Sequence, residues 1–405
     1  MAHGPETIVI RPRPRGEAPG RPLRIAQVAP PLERVPPIGY GGTERIVHGL
    51  VVESVRRGHE ITTFASGDST VEGPHVVTVP EALRPAGYVG DPMPWFIRTV
   101  QLVLERARDF DVIHSHLEWM SLLLAKVSPV PVVTTFHGRL DFPWASALLR
   151  EPPRGLVAIS ADQAATHPDV PWAAVVHNGL DLRDAPFERR RGDALCFVGR
   201  AAPEKGIVEA IEIARLAGRP LRIAAKVAPS GPERAYFDSV FEPALAAAGS
   251  DVEFLGELTG ADRDRLFAES FAALMPGSWP EPFGLVAIEA LATGTPVIAR
   301  RIGALPEIIR EGVDGLFGDD VTAMAFVVDR VAELDRLAIR QSVLERFSLE
   351  RMVDGYERVY EALLTGPGDR DADTDPSRRS IVIGPEPVAT MDPTGQAGRV
   401  ATSPR

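Results

Sequence analysis

Residues 272–299 read AALMPGSWPEPFGLVAIEALATGTPVIA. Two short apolar runs, 272–275 and 296–299, bracket a proline-rich loop and a segment that turns helical from about Gly284. The order is strand, loop, helix, strand, the repeating unit of a parallel sheet. Glu281 lies between Pro280 and Pro282, and a residue before proline is pushed out of the α region into an extended conformation. Its carboxylate is therefore held on a stiff, non-helical loop. From Gly284 and Leu285 onward the first helical amides have no intrahelical partners and carry the positive end of the dipole, a ready seat for phosphate. Glu289 projects beside the same end. Two carboxylates flanking an anion site suit a sugar and a ribose joined by a diphosphate.

Working outward, the same alternation covers most of the chain. Runs rich in Val, Ile and Leu at 23–29, 61–65, 111–114, 130–136 and 156–159, then at 195–198, 221–225 and 252–255, alternate with amphipathic segments. This predicts an α/β protein of parallel sheets covered by helices. The series breaks at Asn178-Gly179-Leu180-Asp181 and the charged stretch that runs to Asp193, where a strand-like run restarts after a turn-prone segment. We expect a first Rossmann-like domain over 23–180 and a second over 190–348, their strand ends facing one cleft. Residues 1–22 and 366–405 are rich in Pro, Gly, Arg, Asp, Ser and Thr and read as disordered tails. Within them, residues 7–12 and 380–385 echo each other, as two short strands or as nothing of consequence.

A chain of 405 residues is long enough for two domains. Its net charge of −11 argues against a nucleic-acid partner. No run has signal-peptide or membrane-span length, so a cytoplasmic protein is expected, with peripheral contact to a membrane-borne acceptor left open. The single cysteine, Cys196, sits in a strand-like run and reads as a buried structural thiol.

Four further segments carry candidate chemistry. After the first strand, Gly39-Tyr40-Gly41-Gly42-Thr43-Glu44 forms a glycine turn before a helix, with Thr43 as a candidate cap. The position three after Gly41 is Glu44, where a dinucleotide fingerprint needs glycine or alanine, so no nicotinamide cofactor is assigned. In 111–116 the two histidines, His114 and His116, alternate with Ser115 and point to one side of a strand end. A third zinc ligand at recognisable spacing is missing, so no metal is assigned. His137-Gly138 ends another strand at a loop edge, followed by Arg139 and Asp141, which pair with each other or meet a ligand. Finally, 197–206 (FVGRAAPEKG) places Arg200 at a strand end and Lys205 at a helix start. There a cation opposes the dipole unless an anion lies between them.

Taken together these segments, across roughly residues 23–363, resemble glycosyltransferase family 4, the retaining transferases of GT-B fold. The family signature is Glu-Pro-Phe-Gly-Leu with a second Glu eight positions after the first, here Glu281 to Leu285 and Glu289. The resemblance implies that Arg200 and Lys205 hold the donor diphosphate, aided by the amides of Gly41 and Gly42. Glu281 would bind the transferred sugar and Glu289 the ribose. Phe283, Gly284 and Leu285 would line the donor site, and the main chain near Leu258 would meet the base. His137 would lie by the reacting sugar, with Glu44, His116, Arg139 and Asp141 on the acceptor side and segment 67–95 shaping its pocket. A helix at 349–365 would cross back to the first domain. The loop at Gly303-Ala304, usually Gly-Gly in the family, departs at Ala304, which argues against a tight main-chain approach there.

The activity implied is metal-independent, same-face transfer of a hexose from a nucleotide sugar to a hydroxyl of an unidentified acceptor. A UDP-sugar is favoured, with GDP-mannose as the other donor. No cofactor is called for, because the nucleotide sugar is a co-substrate. Rival readings are a GT-B nucleotide-sugar hydrolase or epimerase and a non-catalytic nucleotide-sugar binding protein. Asp369, Asp371, Asp373 and Asp375 show the Asp-x-Asp spacing of metal-dependent transferases of another fold, but they follow the last expected helix and read as a solvated acidic tail.

Overall fold

The computed structural model describes residues 21–39 and 41–365, together with the short strands Ile8–Val9 and Ile381–Ile383. Among the described residues fifteen strands form two wholly parallel sheets. The first contains β1 (Ile8–Val9), β2 (Arg24–Val28), β3 (Glu60–Ala65), β4 (His75–Val77), β5 (Val112–Ser115), β6 (Val132–Thr135), β7 (Leu156–Ala158), β8 (Ala174–Val176) and β15 (Ile381–Ile383). Its order is β1-β15-β8-β7-β6-β5-β2-β3-β4. The second contains β9 (Leu195–Arg200), β10 (Leu221–Lys226), β11 (Val252–Phe254), β12 (Ala273–Met275), β13 (Val297–Ala299) and β14 (Gly315–Phe317), in the order β11-β10-β9-β12-β13-β14.

Apart from the edge strand β1, both sheets start at an inner strand, step outward to one edge, and return to grow the other way. The direction reverses between β2 and β5 in the first and between β9 and β12 in the second. Neighbouring crossovers then leave on opposite faces, and a crevice opens at the carboxyl ends of the strands, the usual ligand position in such sheets. The loops after β2, β5, β9 and β12 are thus where ligand contacts are expected, and they carry Gly41, His116, Lys205 and Glu281.

Each of the ten apolar runs overlaps a strand. Three strands, β4, β8 and β14, had no run assigned to them. The echoing segments at the chain ends are strands as well: β1 pairs with β15, and β15 pairs with β8. This corrects the reading of 1–22 and 366–405 as wholly disordered; the rest of both tails, with its aspartates, lies outside the described residues.

A single apolar core continues from Ile25 and Val47 of the first lobe to Ala290 and Val297 of the second. Helix Leu349–Thr365 supplies much of the join, burying Met352, Val353, Tyr356 and Tyr360. It lies against helix Gly42–Arg56 and β8. Arg57 fixes its angle by pairing with Asp354 at 2.6 Å and Glu357 at 3.0 Å. Cys196 is buried in β9, and burial pushes its thiol up to about 12. No described helix is long and apolar enough to cross a membrane.

Candidate active site

Between the two sheets lies a cavity of about 1960 Å³ lined by both lobes. On the second lobe, Arg200 ends β9 and Lys205 ends the short 3-10 turn Pro203–Lys205 before helix Ile207–Ala217. Lys205 Nζ pairs with Glu281 Oε1. They meet because two loops touch through their main chains. The Glu204 carbonyl accepts from the amides of Ser278 (3.1 Å) and Trp279 (3.4 Å). Gly206 has φ +74°, and a Cβ there would lie 2.9 Å from Gly277 N. A side chain at that position would push the lysine loop off the glutamate loop.

A third loop clamps Glu281 from the other side. Gly303 has φ +61°, with a Cβ position only 2.5 Å from Glu281 N, and the Ala304 amide donates to the Glu281 carbonyl at 2.9 Å. The expectation that Ala304 prevents a tight approach is therefore corrected: the close contact is made by Gly303, against Glu281 itself.

Other charges of the second lobe and of the cleft are paired as well. Arg200 contacts Glu204 at 2.6 Å and pairs with Glu233. Glu289, only 4 % exposed, lies in helix Leu285–Ala292 and meets Arg263 at 3.1 Å. Its second partner is Arg45, which reaches across from helix Gly42–Arg56 of the first lobe. Gly284 caps the helix of Glu289. Leu258, Gly284 and Leu285 line the cavity. Phe283 is mainly core, its ring 5.8 Å from those of His177 and Phe347.

On the first lobe, Gly41 caps and Gly42 begins helix Gly42–Arg56, with no side-chain cap, so Thr43 is not the cap. Gly42 sits against Leu285 of the opposite lobe. From segment 67–95, Arg84 and Tyr88 reach the wall. Beneath the wall runs a chain of rings. Tyr360 Oη is 2.8 Å from His114 Nδ1, Gln27 Oε1 is 3.0 Å from His116 Nε2, and His116 Nδ1 is 2.9 Å from His137 Nε2. With an oxygen at its Nε2, His116 donates there and accepts at Nδ1 from the His137 Nε2–H. His137 is left with Nδ1 as an acceptor. Burial holds the His137 imidazole down at about 3, so it is neutral at ordinary pH.

Two assignments are corrected here. His116 is fully buried and absent from the cavity wall; strand alternation gave its side of the sheet but not its depth, and His137 lies over it. Asp141 is also off the wall and is taken by Arg139. Arg139 itself lines the cavity and stacks over Trp279 of the other lobe, 4.2 Å from the ring centroid.

Glu44 lines the cavity, 4 % exposed, with no cation within ion-pair distance among the described residues, and burial pushes its carboxyl up to about 7. Glu118 was not singled out from sequence. It follows β5 with φ +50°, the one non-glycine residue at positive φ among those described. Its Oε1 accepts from the His137 amide at 3.0 Å, and burial pushes it too up to about 7. Its only signal was its place two residues past His116. Arg45 and Arg263 were missed as well, since each reads as an ordinary charge on a helix. Among the described residues no group of three His, Cys, Asp or Glu is arranged to hold a metal ion.

Two family models match adjoining parts of the chain: Glycosyltransferase Family 4 over residues 40–184 and Glycosyl transferases group 1 over 182–338. The chain is 28 % identical over 393 residues to a glycogen synthase of Mycobacterium tuberculosis, covering 82 % of this chain and 93 % of that protein. It is 29 % identical over 424 residues to a D-inositol 3-phosphate glycosyltransferase of Rhodococcus erythropolis, covering 86 % and 95 %. Among solved structures it resembles AviGT4, a glycosyltransferase involved in avilamycin A biosynthesis, with a TM-score of 0.61 at 25 % identity, covering 85 % of this chain and 99 % of that one. Anabaena HepE, solved with UDP and glucose, superposes with a TM-score of 0.66 at 18 % identity over 84 % and 100 %, which speaks for the fold alone.

Proposed function

Because the chain belongs to glycosyltransferase family 4 and has its GT-B fold, we propose that it moves a hexose from a nucleotide diphosphate sugar, a UDP-sugar before GDP-mannose, to an acceptor hydroxyl on the same face and without metal. The observation that carries this reading is the Lys205–Glu281 pair beside Arg200, in the cavity that also holds Glu289. A departing diphosphate needs fixed positive groups aimed at it, and such preorganised charges are the main catalytic device for a reaction of this kind. Lys205 and Arg200 supply them, together with the amides at Gly284 and Leu285 and the Gly41-Gly42 turn. Glu281 then exchanges its lysine for sugar hydroxyls, and Glu289, held by two arginines, takes the ribose.

In the transfer itself the bond from the anomeric carbon to the donor phosphate oxygen breaks and a bond to the acceptor oxygen forms. The acceptor proton passes to the leaving phosphate oxygen. His137, neutral, accepts a hydrogen bond from a sugar hydroxyl at Nδ1 and need not carry charge. Product analysis tests the proposal: the purified chain with UDP-glucose or GDP-mannose, an acceptor panel and EDTA should give a glycoside that keeps the donor's anomeric configuration. An inverted product, a strict need for added divalent metal, or free sugar alone with every acceptor would overturn it.

A further inference from the structure

On the first lobe the cavity wall includes large aromatic side chains. Trp119 and Phe142 line it, and Trp144 packs against both. Trp144 stacks parallel to Phe142, with ring centroids 5.1 Å apart and planes within 2°, and meets Trp119 edge-on at 4.7 Å. Phe142 is 37 % exposed and Trp144 48 %. Large aromatic rings left in water next to a cavity mark an interaction surface more often than a structural need. The strip also has an inner end. Arg139, which lines the cavity between the two, stacks on Trp279, and Trp279 lies two residues before Glu281.

Polar groups are interleaved with the rings: the Arg139–Asp141 pair and the cavity-facing carboxyl of Glu118. An alkyl chain laid along the strip would strip water from these groups and return no hydrogen bonds, which is costly. A sugar ring has both surfaces the strip asks for, an apolar C–H face for the aromatics and a rim of hydroxyls for the charged groups. We infer that the acceptor is a carbohydrate of more than one ring, whose outer rings stack on Phe142 and Trp144 while Glu118 and Arg139 hold the hydroxyls of the ring nearest Glu281. This rests on the transfer reaction proposed above and names its acceptor class.

The test uses the full chain with glucose, maltotetraose and cellotetraose as probes, followed by tryptophan fluorescence, with phosphatidylcholine–phosphatidylglycerol vesicles as a comparison. At least one tetraose should bind about tenfold more tightly than glucose, as expected for added aromatic contact. Trp144→Ala should abolish that advantage and Trp144→Phe restore most of it, both variants keeping the parent melting temperature and nucleoside diphosphate affinity. Equal binding of glucose and both tetraoses, absence of tetraose binding, or unchanged tetraose affinity in Trp144→Ala would overturn the inference. Vesicle binding that Trp144→Ala abolishes would overturn it too, by giving the strip to a lipid. Donor turnover in Glu281→Ala separates the two readings: if it collapses while Trp144→Ala is silent, only the acceptor class fails.

Discussion

In the second lobe the charges that face the cavity come in opposed pairs, Lys205 with Glu281, Arg263 with Glu289, and Arg200 with Glu204 and Glu233. In the first lobe the cavity holds a neutral imidazole, His137, and two carboxyls, Glu44 and Glu118, with no cation within ion-pair distance of either carboxyl among the described residues. The two sheets are wound alike, so topology does not account for the contrast. The difference lies in what each wall is prepared to receive. Paired charges on clamped loops can exchange partners with an incoming diphosphate at little reorganisation cost. Groups kept near neutral by burial can accept from or donate to hydroxyls without a counter-ion to displace.

The sharpest way to break this contrast is at Lys205 and Glu281. Glu281→Ala should lower turnover by roughly a thousand-fold, on the scale of removing one preorganised transition-state contact, and leave nucleoside diphosphate affinity nearly unchanged. Lys205→Ala should weaken that affinity as well, by about ten- to a hundredfold, the worth of one charge-assisted contact. Steady-state kinetics with calorimetric titration checks both, and normal turnover in either variant removes the donor assignment.

A smaller effect is expected where the lobes meet. Arg45→Ala removes the cross-cleft partner of Glu289 and leaves Arg263, so the buried carboxylate keeps one cation. We expect donor KM to rise by about tenfold, the equivalent of 1.4 kcal/mol, with a larger radius of gyration in solution scattering. An unchanged profile together with an unchanged KM would make the pair incidental to cleft geometry.

The smallest effect concerns pH. Burial raises the Glu44 carboxyl from its ordinary value near 4.5 to about 7, so ionisation opposes the native state. Its favourable share of stability is complete below pH 4.5 and is lost as pH rises through 7. Glu44→Gln should therefore melt higher than the parent at pH 8, by about 2–4 °C per kcal/mol recovered, and show little gain at pH 4.5. Glu118 carries the same slope, so one substitution removes only part of it. Equal melting differences at the two pH values would show that Glu44 is solvated.

How legible these features were depended on how local they are. Arg200, Lys205 and Glu281 stood out because each belongs to a contiguous strand-and-loop segment in which proline, glycine and charge are all present. The partners of Glu289 did not, since Arg45 is 244 positions away and no short pattern joins them. Glu118 was hidden for a related reason: its role comes from the His137 amide donated to it by the next strand's loop. His116 failed in the opposite direction, with a motif that looked functional on a ring that is buried.

The amino-acid order alone determined the α/β class, the break between two parallel sheets and the loops that carry the chemistry. Those follow from apolar periodicity and proline sterics, which act over a few residues. Tertiary structure alone decided which charges meet, which histidine reaches the cavity, and which carboxyls burial pushes up to about 7. Ion pairing and desolvation depend on neighbours in space, which here lie on separate loops of one lobe or, for Arg45 and Glu289, on opposite lobes.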